Sequence, residues 1–448
     1  VTFTVDDERM QFTRRSLLGV TAAAGVTGLA AGCELDQPPA AAGGAGSASG
    51  APAFDPASWE SVRAQFALDR SRAHLATFVF AAHPAPVRAA VAAYRDGLDR
   101  DAVGYLGANE EQLDKGVLAA AAGHLDTPAE QIALTDSTTM GLGLVYTAVR
   151  LGTGDEVLTT EHDFYATHES LRLRAARDGV KVRRVRLYRD PAAASVDEIV
   201  SNLAAAVTAR TRVVALTWVH SSTGVKLPVR QLAEAVRARS PQALVCVDGV
   251  HGFGAEAVTP ARLGCDVLVS GCHKWLLGPR GTGLVWGSAR AWGRMTAVIP
   301  SFDRRSIGRW MYGGTGAQPA PGGPAHTPGG YHSFEHRWAL AAAFEFHRRI
   351  GPERVAARTR ELADRLKDGL AGIRGVRLVT PRSAELSAGI VCCDVPDVPV
   401  GEAVGRLYAA GVIASSTPYN PSYLRFGATI ANSEDEVDAT VRAVRGLV

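Results

Sequence analysis

The chain has 448 residues, 46% of them hydrophobic and 21% charged, with 48 basic against 45 acidic side chains and a formal net charge of +3. That length and balance describe a globular chain able to bury a large core and exclude a disordered polymer. No basic stripe interleaved with aromatics runs through it, so nucleic acid is not an expected partner.

The first 33 residues differ from the rest. Thr13-Arg14-Arg15-Ser16-Leu17-Leu18 precedes an apolar run to Ala31, followed by Gly32 and Cys33. The run covers about 15 residues, short of the roughly 20 that span a bilayer. An arginine pair before a short apolar stretch resembles a twin-arginine export signal. Leu29-Ala30-Ala31-Gly32-Cys33 resembles a lipobox, with alanine in place of the usual leucine three positions before the cysteine. These resemblances imply export and lipidation at Cys33 on the outer face of the membrane, or else secretion. The lipid is then the only membrane contact. Residues 34–53, rich in Ala, Gly, Pro and Ser, read as a flexible tether.

From residue 54 short apolar strands alternate with helical periods. Strands are expected at Gln131–Thr135, Glu156–Thr160, Val182–Leu187, Val213–Val219, Leu244–Asp248, Val267–Gly271 and Gly283–Trp286. Helices are expected at Gln112–Leu125, Met140–Leu151, His168–Asp178, Val196–Ala206 and Val229–Arg239. Strands separated by helices imply an α/β domain whose mostly parallel, seven-stranded sheet is covered on both faces. The run ALVCVD (243–248) is apolar at both parities, as such a sheet requires. The Gly/Pro-rich stretch 313–330 reads as a loop. Helices at Ser333–Ile350 and Pro352–Ile373, strands at Val376–Thr380, Gly389–Val395, Val412–Ser415 and Tyr423–Phe426, and a last helix at Ser433–Leu447 make a smaller α+β unit. The expected divisions are 1–33 (signal), 34–53 (tether), 54–310 (N-terminal segment and large domain) and 311–448 (small domain).

Apart from Cys33, the cysteines (Cys246, Cys265, Cys272, Cys392 and Cys393) sit in or beside apolar runs and read as small core residues. No CxxC spacing occurs and no disulfide framework is expected. His332 and His336 lie four apart on an expected helix, a spacing able to bind metal. With no third ligand in view, no metal is expected.

In open α/β sheets, ligands sit beyond the carboxyl ends of the strands. Asp248 ends one expected strand and Lys274 follows the next by three residues, so both fall on one sheet edge. Lys274 is one of five lysines in a chain whose other basic residues are arginines. Asp136-Ser137-Thr138-Thr139-Met140-Gly141 lies between a strand and a helix, where backbone N–H groups and hydroxyls form a natural phosphate cradle. A cradle, an acid and a lysine on one edge suggest pyridoxal 5'-phosphate. The lysine amine bonds the cofactor aldehyde, the acid keeps the pyridine nitrogen protonated, and the ring becomes an electron sink. Burial among Trp275, Leu276 and Leu277 lowers the lysine pKa. Taken singly, these features read as a surface lysine, a capping aspartate and a helix start; their coincidence favours the cofactor.

VDGVHGFG (247–254) and LGCDVLVSGCHKWLLGPRGTGLVWG (263–287) resemble the aspartate and lysine regions of the class V aminotransferase family. This is a fold type I group of pyridoxal-phosphate enzymes that includes cysteine desulfurases, selenocysteine lyases, kynureninases and isopenicillin N epimerases. The resemblance runs from about residue 59 to the C-terminus. WESVRAQFALD (59–69), FVFAAHPAPVRAAV (78–91) and TPGGYHSFEHRWALAAAFEFH (327–347) are most similar to the isopenicillin N epimerase-like branch. The resemblance implies that Lys274 bonds the cofactor, Asp248 pairs with the pyridine nitrogen and His251 meets the 3-hydroxyl. It also implies that Thr139, the backbone of Ser137 and Thr138, and His273 hold the phosphate. His162, in EHDFYATH, would stack on the ring, with Phe164 or Tyr165 as alternatives. Arg425, in YLRFG, would receive a substrate carboxylate as a bidentate fork. A homodimer with active sites at its interface is implied too, with His332 facing the neighbouring site. Two departures stand out. Ser221, in VHSSTG, replaces an asparagine near the substrate carboxylate. Gly271 replaces the phosphate-binding serine of S-x-H-K, with Ser270 one residue early.

An amino acid bonded to such a cofactor can be epimerised, lose a β-substituent or be transaminated once its Cα proton is removed, with Lys274 as the base. A persulfide-forming desulfurase needs a mobile cysteine shortly before the arginine, and ASSTPYNPSYLRFG (414–427) has none. An epimerase needs a second base on the opposite ring face. The expectation is an enzyme of Cα-carbanion chemistry on an amino acid or related amine: epimerase, C–S or β-elimination lyase, or aminotransferase. The alternative is an exported, lipid-anchored binding protein with a degenerate form of the same fold.

Overall fold

The structure, a computed structural model, describes residues 53–312 and 322–448. The twin-arginine stretch, Cys33 and the tether up to residue 52 lie outside the described residues. Seven strands form one sheet: β1 (Ile132–Thr135), β2 (Glu156–Thr160), β3 (Lys181–Val185), β4 (Thr211–Thr217), β5 (Leu244–Asp248), β6 (Val267–Gly271) and β7 (Gly283–Gly287). Their order is β1-β7-β6-β5-β4-β2-β3. The pairs from β3 through to β6 are parallel, and β7 runs antiparallel to both β6 and β1. This is the mostly parallel, seven-stranded α/β sheet that the sequence implies.

The sheet buries both faces. Leu244 and Cys246 of β5 join Val213, Ala215, Val267 and Val269 in one core layer. That layer lies under helices α3 (Thr138–Ala148) and α4 (Tyr165–Asp178), through Leu142, Val145 and Leu171. Val245 and Val247, the other parity, face a second layer. It packs against α2 (Ala102–Leu125), α5 (Val196–Ala206), α6 (Val229–Arg239) and α7 (Phe334–Ile350), while α1 (Ala85–Arg100) lies outside α2 and α7. Each fully buried Val or Leu contributes roughly 1.5–3 kcal/mol, and the period-2 side-chain geometry of a strand sends neighbours to opposite layers.

Observed boundaries shift where a partner ends. Two strands expected to run to Leu187 and Val219 stop at Val185 and Thr217, because their ladders end at the Thr160–Val185 and Thr217–Asp248 pairs. The helix expected from Met140 begins at Thr138, since the Ser137 hydroxyl caps it by accepting from Met140 N at 3.1 Å. α2 begins ten residues before the expected Gln112, capped by Asp101. Its first turns are mostly exposed and carry two glycines, so no apolar period marks them. Among the described residues no helix is long and apolar enough to cross a membrane.

Helices α8 (Pro352–Ala371), α9 (Val400–Ala409) and α10 (Glu434–Arg445) pack on a four-stranded antiparallel sheet. Its strands are β8 (Arg377–Leu378), β9 (Ile390–Asp394), β10 (Ser415–Ser416) and β11 (Leu424–Gly427), in the order β10-β11-β9-β8. The N-terminal segment 73–81 straps this unit to the larger sheet. Ala73 and His74 pair with Val412 and Ile413, Leu75 O accepts from Gly427 N at 2.8 Å, and Ala81 N donates to His273 O at 3.0 Å.

One buried carboxylate ties two strand ends together. Asp163 Oδ2 accepts from Thr159 Oγ1 at 2.6 Å and Thr160 N at 2.7 Å, and Oδ1 accepts from Thr217 N at 2.7 Å. Asp163→Ala leaves buried donors unpaired and is expected to lower unfolding free energy by about 2–4 kcal/mol, with Asp163→Asn costing less. Urea unfolding followed by circular dichroism measures both.

Candidate active site

The carboxyl ends of β1, β5 and β6 converge with the start of α3. Here the cradle forms: Gly271 N, at the end of β6, donates to Thr138 Oγ1 at 2.7 Å. The His273 ring lies beside it, its Nδ1 3.5 Å from Thr282 O. Ser137 is the helix cap, and Thr139 is exposed on the first turn. A Cβ at residue 271 would stand 2.8 Å from His273 Cε1 and 3.1 Å from Thr138 Oγ1, so glycine is what lets the three elements close. Ser270 does not replace the missing serine. It is fully buried and its hydroxyl donates to Gly271 O at 2.9 Å, inside the sheet rather than in the cradle.

Next to the cradle, Lys274 Nζ lies 3.2 Å from His251 Nε2. Trp275 Nε1 donates to the other imidazole nitrogen, His251 Nδ1, at 3.3 Å. The turn that carries the lysine closes through Leu277 N to Lys274 O at 3.1 Å and Gly278 N to Cys272 O at 2.9 Å. Leu277 takes a left-handed φ of 62°, a conformation unfavourable for a non-glycine residue and held here by burial. The two other lysines with buried amines are ion-paired, Lys226 to Glu256 and Lys367 to Asp364. Lys274 instead meets an imidazole. Burial lowers its pKa to about 8, against the opposing pull of Asp248. Asp248 is 2% exposed, and burial raises its carboxyl to about 6 even though Val250 N donates to Oδ1 at 3.1 Å. A cationic ring N–H brought against this carboxylate would reverse that rise.

On the far side of the cleft lies Arg425, 7% exposed. Its guanidinium donates to Ser415 Oγ (3.2 Å) and Ser221 O (3.3 Å) and lies 5.3 Å from the Phe78 ring. Among the described residues no carboxylate lies within ion-pairing distance of it. Ser221 Oγ is 2.9 Å from Tyr419 OH, so the loop before β11 adds a phenol to the wall. His162 stacks one face on Tyr188, with ring centroids 3.9 Å apart and planes 7° apart, and its Nε2 accepts from Leu187 N at 3.4 Å. A cofactor ring stacked on His162 therefore takes its opposite face. Tyr188 OH is held by His220 Nδ1 (2.9 Å) and Thr223 Oγ1 (3.0 Å). Phe164 precedes α4, and Tyr165 is 68% exposed.

Thus Lys274, Asp248, His251, Thr138 and His273 come together, with Arg425 close to the lysine and the imidazole and Ser221 against Arg425. His332 and His336 do not share a helix, because His332 precedes α7 and sits 3.1 Å from Gly330 O. Among the described residues no group of three His, Cys, Asp or Glu side chains is placed to hold a metal. Three contributors escaped the sequence analysis. Phe78 and Tyr419 lie in segments whose periodicity marks no site, and Asp163 is a common loop acid. Only contacts across the fold reveal them.

The residues fit pyridoxal phosphate: an anion cradle, an amine of lowered pKa, a carboxylate with one oxygen free of partners, and an unpaired guanidinium. Comparison with known proteins agrees. The family described as aminotransferase class-V matches residues 119–439, and the chain belongs to that family. It is 29% identical to isopenicillin N epimerase from Amycolatopsis lactamdurans over 414 residues, 87% of this chain and 98% of that protein. It is also 29% identical to the isopenicillin N epimerase of Streptomyces clavuligerus over 331 residues, 71% and 80% of the two chains. A solved structure of a C-DES mutant with glycine covalently linked to its PLP cofactor superposes with a TM-score of 0.75. It is 21% identical and covers 86% of this chain and 98% of that one, a likeness of fold. The chain is a pyridoxal-phosphate enzyme.

Two outcomes follow for the apoprotein. The neutral amine of Lys274 and the ionised Asp248 are both needed for loading, so the rate of cofactor uptake, read by stopped-flow absorbance, is expected to rise with pH from about 6 to about 8 and then level off. Gly271→Ser, which restores the family serine, is expected to weaken cofactor affinity several-fold in equilibrium titration, because the new Cβ pushes His273 and Thr138 apart.

Proposed function

We propose that this class-V pyridoxal-phosphate enzyme acts on α-amino acids with a free α-carboxylate and inverts Cα, with Lys274 and Tyr419 as its two proton-handling groups. The observation that carries this reading is Arg425, a buried guanidinium without a carboxylate partner. Such a charge is costly to hold dry unless a ligand neutralises it. A substrate carboxylate does so with a bidentate pair of charge-assisted hydrogen bonds, and fixes Cα over the cleft.

When bound, pyridoxal phosphate supplies the aldehyde that takes up the substrate nitrogen and the ring that delocalises charge from Cα. This chain's residues do the rest. Thr138, the N-terminus of α3 and His273 hold the phosphate. Asp248 holds the ring nitrogen protonated. Lys274, whose pKa burial lowers to about 8, accepts the Cα proton as its free amine. Tyr419, whose phenol burial pushes well above its ordinary pKa, keeps its proton until it gives it. The two groups thus take complementary parts.

The persulfide route is disfavoured on two counts. The loop at 414–427 has no cysteine. The five described cysteines are buried, and burial raises every thiol, Cys265 and Cys392 to about 12. A binding protein without catalysis would have no use for a buried lysine of lowered pKa beside a buried acid. Two relatives bear the name isopenicillin N epimerase, which supports inversion as the reaction class. We further propose a homodimer, and export with lipidation at Cys33; light scattering and the mass of the N-terminal peptide from cells test these.

The central experiment incubates loaded enzyme with a panel of amino acids in D₂O. Deuterium is expected at Cα together with accumulation of the opposite configuration, by NMR and chiral chromatography. Lys274→Ala abolishes both. Tyr419→Phe keeps exchange but slows inversion at least about tenfold. Arg425→Ala raises KM about 100-fold for amino acids, the loss of roughly 2–3 kcal/mol of charged hydrogen bonding, with little change for amines lacking the carboxylate. Accumulation of a keto acid and ammonia without inversion overturns the reading in favour of elimination.

A further inference from the structure

Between the lysine and the hydrophobic interior runs a chain of two hydrogen bonds that passes through a single imidazole. Trp275 Nε1–H donates to His251 Nδ1 at 3.3 Å, and His251 Nε2 faces Lys274 Nζ at 3.2 Å. We infer that Trp275 is a positioning residue: its indole N–H fixes His251 in the tautomer with the proton on Nε2, so that His251 donates to Lys274 and holds the amine neutral and nucleophilic. This rests on the reading of Lys274 as the cofactor lysine.

An indole nitrogen is a donor only, so Nδ1 must accept and a neutral ring must carry its proton on Nε2. A protonated ammonium has three donors and no acceptor, so it cannot receive that proton. Only the free amine completes the chain. The ring itself is kept neutral by its surroundings: it is 4% exposed and surrounded by Lys274, Arg425 and His273, all of which disfavour a second positive charge. Asp248 is the group that pulls the other way on Lys274. The indole has little freedom to turn. Trp275 is 3% exposed and stacks on Phe78 with centroids 5.5 Å apart and planes 28° apart. Its six-membered ring fills the space of the absent side chain at Gly389, where a Cβ would come within 2.3 Å of it. The same Phe78 meets Arg425 on its other contact. A surface tryptophan could swing away from an imidazole; this one is clamped with its N–H aimed.

The test needs no turnover. In apoprotein labelled with ¹⁵N-histidine, long-range ¹H–¹⁵N spectra report which ring nitrogen of His251 carries the proton, with His251→Gln providing the assignment. The wild type is expected to show the Nε2–H tautomer, and Trp275→Phe, which keeps an aromatic on Phe78, to populate Nδ1–H. Nε2 can then accept from a charged Lys274, so the amine is stabilised in its protonated form and its pKa rises. The pH dependence of carbamylation by cyanate, mapped by mass spectrometry, measures this. With five lysines in the chain the peptides are easily separated, and the exposed Lys115 and Lys181 serve as controls. The Lys274 midpoint is expected to move up by about one unit, a ~tenfold loss of reactive amine at pH 7, with the controls unmoved. β-(3-Benzothienyl)alanine at position 275, which keeps the shape and deletes only the N–H, must give the same two changes if the phenylalanine variant fails to fold. An unchanged tautomer or an unchanged midpoint overturns the inference. If borohydride reduction of the loaded enzyme traps the cofactor on another residue, the functional reading fails, while the tautomer measurement still decides the role of Trp275.

Discussion

The site depends on an amine that is denied the partner a buried lysine ordinarily finds. Lys226 and Lys367 lie against carboxylates as ion pairs of the scaffold. Lys274 is carried by a strained turn to a place where an imidazole stands at 3.2 Å, and Asp248 acts on it only as a nearby charge. Desolvation then outweighs attraction, and the amine is poised to lose its proton near neutral pH. Had Asp248 closed on Lys274 as an ion pair, both groups would have been stabilised in their charged forms, and neither would be available to an incoming aldehyde or ring nitrogen.

The rest of the architecture serves to keep these groups close but unmated. The parallel strands fix the separation of Asp248 and the lysine turn, because β5 and β6 are neighbours in register from Cys246–Val267 to Asp248–Val269. The smaller sheet brings Arg425 from more than 150 positions away, and the strap at 73–81 locks the two sheets together on either side of the cleft. Phe78, fully buried on that strap, touches both Trp275 of the lysine turn and Arg425. A single aromatic thus sets the separation of the lysine turn and Arg425.

Much of this was legible in the sequence because it is local. ALVCVD reads as a doubly buried strand from its own parity, and Asp248 and Lys274 fall on one edge from strand order alone. The cradle is legible as a strand followed by a capped helix. What the sequence hid is of two kinds. The first turns of helix α2 and the strap lack apolar periodicity, so their course is set by what they pack against. Tyr419, Phe78 and the donor role of Trp275 are contacts between segments remote in sequence or a matter of side-chain direction, and no spacing rule encodes those. The departure at Gly271 shows both sides. The sequence marked the loss of a serine, and the structure shows what a side chain there would crowd, the Thr138 hydroxyl and the His273 ring.

Ligand binding and stability are coupled by the same electrostatics. Arg425 is a dry cation with only neutral acceptors, and Asp248 a dry acid whose pKa sits near 6 for want of a cation in contact. Each is a cost the folded apoprotein carries, offset by the two core layers and the strap. On the proposed function, the cofactor's ring nitrogen would relieve one and a substrate carboxylate the other, so that binding would gain free energy by offsetting these costs. The discrimination that follows is chemical. On the proposed function, a ligand lacking the carboxylate would leave the guanidinium without an ionic partner, which would favour α-amino acids over simple amines.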